Sequence, residues 1–161
     1  MRKLIKQREI VDDTWTYADE EAAATANAVI VPLAQFVAER DQWLSSGKKL
    51  GVRVAPAEIL DAIVADLPRI ALVACEFGGI GEGRGYTHAQ LLRRRHNFQG
   101  EIRAVGNIKR DQVFYMARCG FDTFDFPAGT DLSVPLSAFN DFNVAYQPSS
   151  DRGVELKKRA V

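Results

Sequence analysis

One recurrence constrains this chain more than any other feature. Short strand-like runs, Ala28–Val31, Leu50–Ala55, Ile70–Phe77 and Glu101–Val105, alternate with stretches in which apolar residues return at helical spacing. Leu33, Phe36, Val37, Arg40 and Leu44 mark the first helix, with Pro32 suited to its first turn and Gly47 to its end. Pro56 opens a second, whose apolar face is Ile59, Leu60, Ile63, Val64 and Leu67, and Pro68 stops it. Tyr86–His96 and Lys109–Arg118 read as two more, the latter ending in a Cys119-Gly120 cap. Phe121–Phe126 reads as a further strand and Pro135–Phe142 as a last helix.

Strands separated by helices of this length predict an α/β fold: a mostly parallel sheet of about five strands with right-handed helical crossovers. Ile70–Phe77 is apolar nearly throughout, as a strand covered on both faces should be. An open doubly wound sheet and a half-barrel arc share this periodicity. Lys3–Lys6 and Glu9–Asp12 flank Gln7-Arg8 and predict an N-terminal hairpin, although the turn lacks Asn-Gly. The acidic, alanine-rich stretch Asp12–Asn27 reads as loop with some helix. The expected organisation is one domain over residues 1–148 and a polar tail over 149–161.

The 161 residues carry no net charge, so nothing global draws them to nucleic acid or a membrane surface. No apolar run approaches the roughly 20 residues that span a bilayer, and the first residues lack a signal core. Cys75 and Cys119 are too few for a disulfide scaffold and lack metal spacing. The expectation is a cytoplasmic protein with reduced thiols, no metal and no membrane or nucleic-acid partner.

The glycine-rich stretch 78–85, between a strand and a helix, is the most informative local feature. In such a turn, backbone N–H groups and a helix N-terminus hold anions. Gly81, Gly83, Arg84, Gly85, Tyr86 and Thr87 are therefore candidate anion-binding residues, with Asn107 from the end of the next strand. The competing reading is a tight turn, since the spacing fits neither G-x-G-x-x-G nor a Walker motif.

Between Arg84 and Arg118, eight basic residues face only Glu101 and Asp111. Arg93, Arg94, Arg95, Lys109 and Arg110 are candidates for docking an acidic partner; an ordinary solvated face is the alternative. Asp111 is a candidate for a general base, against a first-turn carboxylate that favours the helix dipole. Cys119 is a redox candidate beside Arg118, against a small packing residue. No catalytic set is visible, and no flavin, nicotinamide or iron–sulfur fingerprint makes a cofactor evident.

An ordered series of motifs carries a resemblance. Gly83-Arg84-Gly85-Tyr86, Leu91-Leu92-Arg93, Gly100–Gly106, Arg110-Asp111-Gln112 and Arg118-Cys119-Gly120-Phe121 form its centre. Asp13-x-Trp15, Val29–Leu33, Leu50–Arg53 and Tyr146-Gln147 extend it over roughly residues 1–148. Together they resemble a bacterial family of unknown function labelled as an oxidoreductase of sulfite reduction and encoded beside assimilatory sulfite reductase. The chain departs from that pattern at Glu82 and Asn107, where the family favours Asp. The resemblance implies an accessory or subunit role in assimilatory sulfite reduction, with sulfite reductase as partner, aiding electron delivery or assembly. The alternatives are a stand-alone enzyme or binding protein for a small anionic metabolite at the glycine-rich loop, and a structural module without catalysis.

Overall fold

The computed structural model describes residues 2–79 and 83–141. Within them one mixed sheet of eight strands organises everything else. β1 (Lys3–Lys6) and β2 (Glu9–Asp12) form the expected hairpin, with Leu4 opposite Val11. Six strands then run parallel in chain order: β3 (Thr16–Tyr17), β4 (Ala28–Pro32), β5 (Lys49–Val54), β6 (Leu72–Phe77), β7 (Glu101–Gly106) and β8 (Thr123–Phe124). β1 closes against β8 antiparallel, with Ile5 opposite Phe124. The order across the sheet is β2-β1-β8-β7-β6-β5-β4-β3.

This corrects the expectation of about five mostly parallel strands. β3 lies inside the stretch read as loop because two residues carry no periodicity. The hairpin joins the same sheet because β1 pairs with the short β8. Parallel strands in unbroken chain order leave no strand-order reversal, so the arc is of the half-barrel kind rather than doubly wound.

The linker from β2 to β3 dictates the curl. These strands sit at opposite edges of the order, yet only Asp13, Thr14 and Trp15 join them. A flat sheet would separate them by about 34 Å at about 4.8 Å per strand. Four peptide steps reach about 15 Å at most. The sheet must therefore curl, and the linker crosses its concave face.

The helices cover the other, convex face. α1 (Leu33–Ala38) and α2 (Arg40–Ser45) replace the single helix expected there. The break at Glu39 lets Leu33 and Phe36, and then Trp43 and Leu44, all pack on one core. The helix expected from Pro56 is a 3₁₀ segment, Leu60–Arg69, with Ile59 left exposed. Its repeat of about three residues per turn aligns Leu60, Ile63 and Asp66 inward. Asp66 meets Arg40 there at 2.9 Å. α3 (Arg84–Gln90) continues into a π-helical turn, Leu91–Arg95. α4 (Arg110–Cys119) ends at Gly120, whose φ is 117°. α5 (Ser133–Ser137) continues as 3₁₀ through Ala138–Asn140. Val31, Val52, Val73, Cys75 and Ile102 of the sheet meet Phe36, Ile63, Leu92, Val113 and Met116 of the helices in the main core. No helix among the described residues is long and apolar enough to cross a membrane. The tail expected over 149–161 lies outside the described residues.

The hairpin turn stores local strain. Gln7 and Arg8 adopt φ of 50° and 67°, the left-handed pair of a type I′ turn, without asparagine or glycine. Left-handed backbone costs an ordinary residue roughly 1–2 kcal/mol. Gln7→Asn with Arg8→Gly is expected to raise the unfolding free energy by about 1 kcal/mol in urea titration.

Candidate functional site

Strand alternation places two kinds of residue on the concave face. Trp15 from the linker packs there with Ile30, Leu72, Ala74 and Val105. Beside them stands Arg103, from the middle of β7 and only 1% exposed. A buried guanidinium needs its N–H groups satisfied and its charge countered. The linker supplies the counter-ion. Arg103 Nη1 and Nη2 donate to the two carboxylate oxygens of Asp13 at 3.0 and 3.1 Å. Arg103 Nε and Nη2 donate to Glu101 Oε1 at 3.1 and 2.9 Å. Lys6 Nζ holds the other Glu101 oxygen at 2.6 Å, tying the hairpin to β7. Arg2 also donates to Asp13, as does the Trp15 backbone N–H, at 3.1 Å for the latter.

The electrostatics follow from this packing. Burial pushes the Asp13 carboxyl up, but the bonds and charge of Arg103, with Arg2 and the Trp15 N–H, hold it below its ordinary value. Burial works against the Arg103 charge, and Asp13 and Glu101 more than restore it. Arg103 is thus a permanent cation inside the arch.

The network opens at the C-terminal ends of the parallel strands, the end at which barrel-type α/β folds place their sites. A cavity of about 270 Å³ lies there, lined by Arg2, Tyr17, Arg53, Glu76, Gly106 and Asp125 among others. Tyr17, on the edge strand β3, donates its hydroxyl to Asp125 Oδ2 beyond β8 at 3.0 Å, so side chains bridge the arch. The guanidinium groups of Arg2 and Arg53 lie 4.8 and 5.6 Å from the Tyr17 ring centre, within cation–π range. Arg2 also meets Asp125 at 3.4 Å. Burial and the neighbouring Asp125 push the Tyr17 hydroxyl up to about 12, so it remains a donor. Burial raises Asp125 as well, with Arg2 and the Tyr17 bond opposing it. The φ of 90° at Gly106 is open to glycine, and a Cβ there would stand 2.6 Å from the Phe77 carbonyl oxygen.

The residues singled out from the sequence lie around this mouth or away from it. Gly81 and Glu82 lie outside the described residues. Gly83, Arg84 and Thr87 are exposed at the start of α3, whereas Gly85 is buried against the Phe77 ring, where a Cβ would come within 2.5 Å. Tyr86 packs edge-on to Phe77 at 5.2 Å, and burial raises its hydroxyl. Asn107 is exposed and donates its backbone N–H to Phe77 O at 2.8 Å. These loops leave the C-terminal ends of β6 and β7, the same end of the sheet as the mouth.

The basic residues divide. Arg93 turns inward and donates to Gly120 O, Phe98 O, Gly100 O and Asp122 Oδ2 at 2.7–3.1 Å, buckling its helix to the strand starts. Arg94 and Arg95 are exposed before β7, while Lys109 and Arg110 are exposed after it. Six residues of strand put those pairs about 20 Å apart at about 3.3 Å per residue. Arg110 is itself paired with Asp141 at 2.8 Å. Asp111 is exposed in the first turn of α4, away from the mouth lining. Cys119 is buried and accepts a bond from Gln90 Nε2 at 3.4 Å. Among the described residues no group of three or more His, Cys, Asp or Glu is placed to hold a metal ion.

Sequence reasoning passed over Asp13, Tyr17, Glu101, Arg103 and Asp125 as site residues. The available signal was Glu101-x-Arg103 inside an otherwise buried strand, with Asp13-x-Trp15 as a motif of its own.

Residues 51–156 match the family described as Bacterial protein of unknown function (DUF934). No curated protein matches the chain.

Removing one partner of a buried ion pair costs about 3–5 kcal/mol, and replacing the whole pair by apolar groups costs less. Asp13→Asn is therefore expected to lose about 3–5 kcal/mol in denaturant unfolding. Asp13→Leu with Arg103→Met should lose less than that single change. A carboxylate lowered in the fold stabilises it above its ordinary value of 3.8 and ceases to as pH falls through the folded value. The stability gap between parent and Asp13→Asn should be full at neutral pH and close below pH 3.8.

Proposed function

The chain belongs to this bacterial family of unknown function, and on that premise we propose that it is an accessory component of assimilatory sulfite reduction that binds a small polar ligand at its half-barrel mouth. The motif series from Asp13-x-Trp15 to Arg118–Phe121 supports the assignment to sulfite reduction. The mouth supports the binding role, and it is the observation that carries it. Arg2, Tyr17, Arg53, Glu76 and Asp125 converge there from five separate stretches of chain on a cavity at the strand C-termini. The buried Asp13–Arg103 pair beneath holds that arrangement in place, as a preorganised site requires.

In this reading the protein acts beside sulfite reductase. Arg94 and Arg95 at one end of β7, or Lys109 at the other, offer the charge for docking an acidic surface. A stand-alone role on a small anionic metabolite is the second reading, and the exposed Arg84, Thr87 and Asn107, at the same end of the sheet as the mouth, favour it.

A bacterial strain lacking the protein should grow on sulfide and fail on sulfate or sulfite as sole sulfur source. Parental growth on sulfite would overturn the assignment. Protein recovered from cells grown on sulfate should bring with it the visible absorbance of a siroheme enzyme.

A further inference from the structure

The charges at the mouth are unequally committed. Arg2 is held by Asp13 and lies over Tyr17, and Asp125 accepts the Tyr17 hydroxyl. Arg53 shares the Tyr17 ring, but Arg53 and Glu76 are less tightly held. They stand on the adjacent strands β5 and β6, and Arg53 Nε approaches Glu76 Oε2 only to 3.7 Å, with side chains 32% and 38% exposed. At that separation no hydrogen bond closes. One cation and one anion with spare capacity thus sit side by side on the rim.

The lining as a whole is balanced. Arg2 and Arg53 face Glu76 and Asp125 across the same cavity. A simple oxyanion drawn to the two guanidinium groups would meet two carboxylates. A simple cation would meet two guanidinium groups. A molecule carrying both charges a few atoms apart satisfies both sets.

We propose that the mouth binds an α-amino acid in its zwitterionic form. The Arg53 guanidinium takes the carboxylate through its planar fork, which matches a carboxylate's two oxygens. Glu76, with Asp125 in the same lining, takes the ammonium group. The loose Arg53–Glu76 contact is exchanged for two charge-assisted pairs with the ligand. Gly106 lends the wall backbone without a side chain. The cavity, about 270 Å³, falls below the roughly 300–1,000 Å³ of sites for drug-sized ligands, so the amino acid's side chain is small.

The inference rests on the mouth being a binding site, and the test separates the two claims. Calorimetric titration of the full chain uses glycine, L-alanine, L-serine and L-cysteine as zwitterions and sodium sulfate and sodium sulfite as anions. N-acetyl-L-serine and L-serine methyl ester each lack one charge. At least one free amino acid should bind, and blocking either end of serine, if serine binds, should weaken it tenfold or more. Arg53→Met and Glu76→Gln should each weaken the bound amino acid by tenfold or more with the melting temperature held. Sulfate or sulfite binding that Arg53→Met abolishes and Glu76→Gln improves would overturn the zwitterion and keep the mouth as a site. No binding by either class would overturn both the inference and the binding role. The growth experiment reads the sulfite assignment independently of either result.

Discussion

Asp13 and Arg103 come from parts of the chain ninety residues apart, and their contact fixes the geometry of the concave face. The linker that carries Asp13 is three residues long and must cross a curled sheet. Arg103 stands in the middle of that crossing, with its side chain 2% exposed. Glu101 accepts from Nε and Nη2 while Asp13 accepts from Nη1, and leaving that buried donor unmet is costly, so the linker is held over β7. Glu101 and Lys6 extend the commitment to the hairpin, and Arg2 extends it to the mouth. Burying an ion pair contributes little net stability compared with apolar packing of the same volume. Here it ties the linker that carries Asp13 to the middle of β7.

Much of the fold was legible as pattern. The hairpin bounds, β4 to β7 and α4 follow from apolar periodicity and from the proline and glycine punctuation around them. What escaped has physical reasons. β3 has two residues, too short to show alternation, and exists because β4 offers it a partner, while the strand expected over Phe121–Phe126 pairs only at Thr123–Phe124. The 3₁₀ form of Leu60–Arg69 turns Asp66 inward beside Arg40, a tertiary contact that local periodicity does not carry. Sheet curl depends on strand order, and strand order depends on where the hairpin docks.

The site was less legible than the fold. Glycine and exposed arginine draw the eye in a sequence, and here Gly85 packs beneath Phe77 while Arg93 serves as a buckle between carbonyls. The residues that line the mouth come from distant stretches, and each looks ordinary alone. Tyr17 sits in an alanine-rich stretch, and Asp125 alternates with phenylalanines in β8 and beyond. Only the curl brings Tyr17 and Asp125 within hydrogen-bonding distance. The basic stretch shows the reverse: residues close in sequence are sent to opposite ends of one strand.

The pairing of β1 with β8 also sets an order of assembly. Ile5 meets Phe124, so the first strand made waits for the last. At a synthesis rate of about 5–20 residues per second, that wait lasts on the order of ten seconds on the ribosome. Throughout it, one edge of the hairpin presents unpaired backbone to the surroundings, the situation in which strands aggregate. β1 meets this exposure with lysine at both of its ends, Lys3 and Lys6, and lysine on a strand edge discourages foreign pairing. Lys6 then becomes the partner of Glu101 once β7 is in place. The same ammonium group guards the nascent edge and later locks the finished arch.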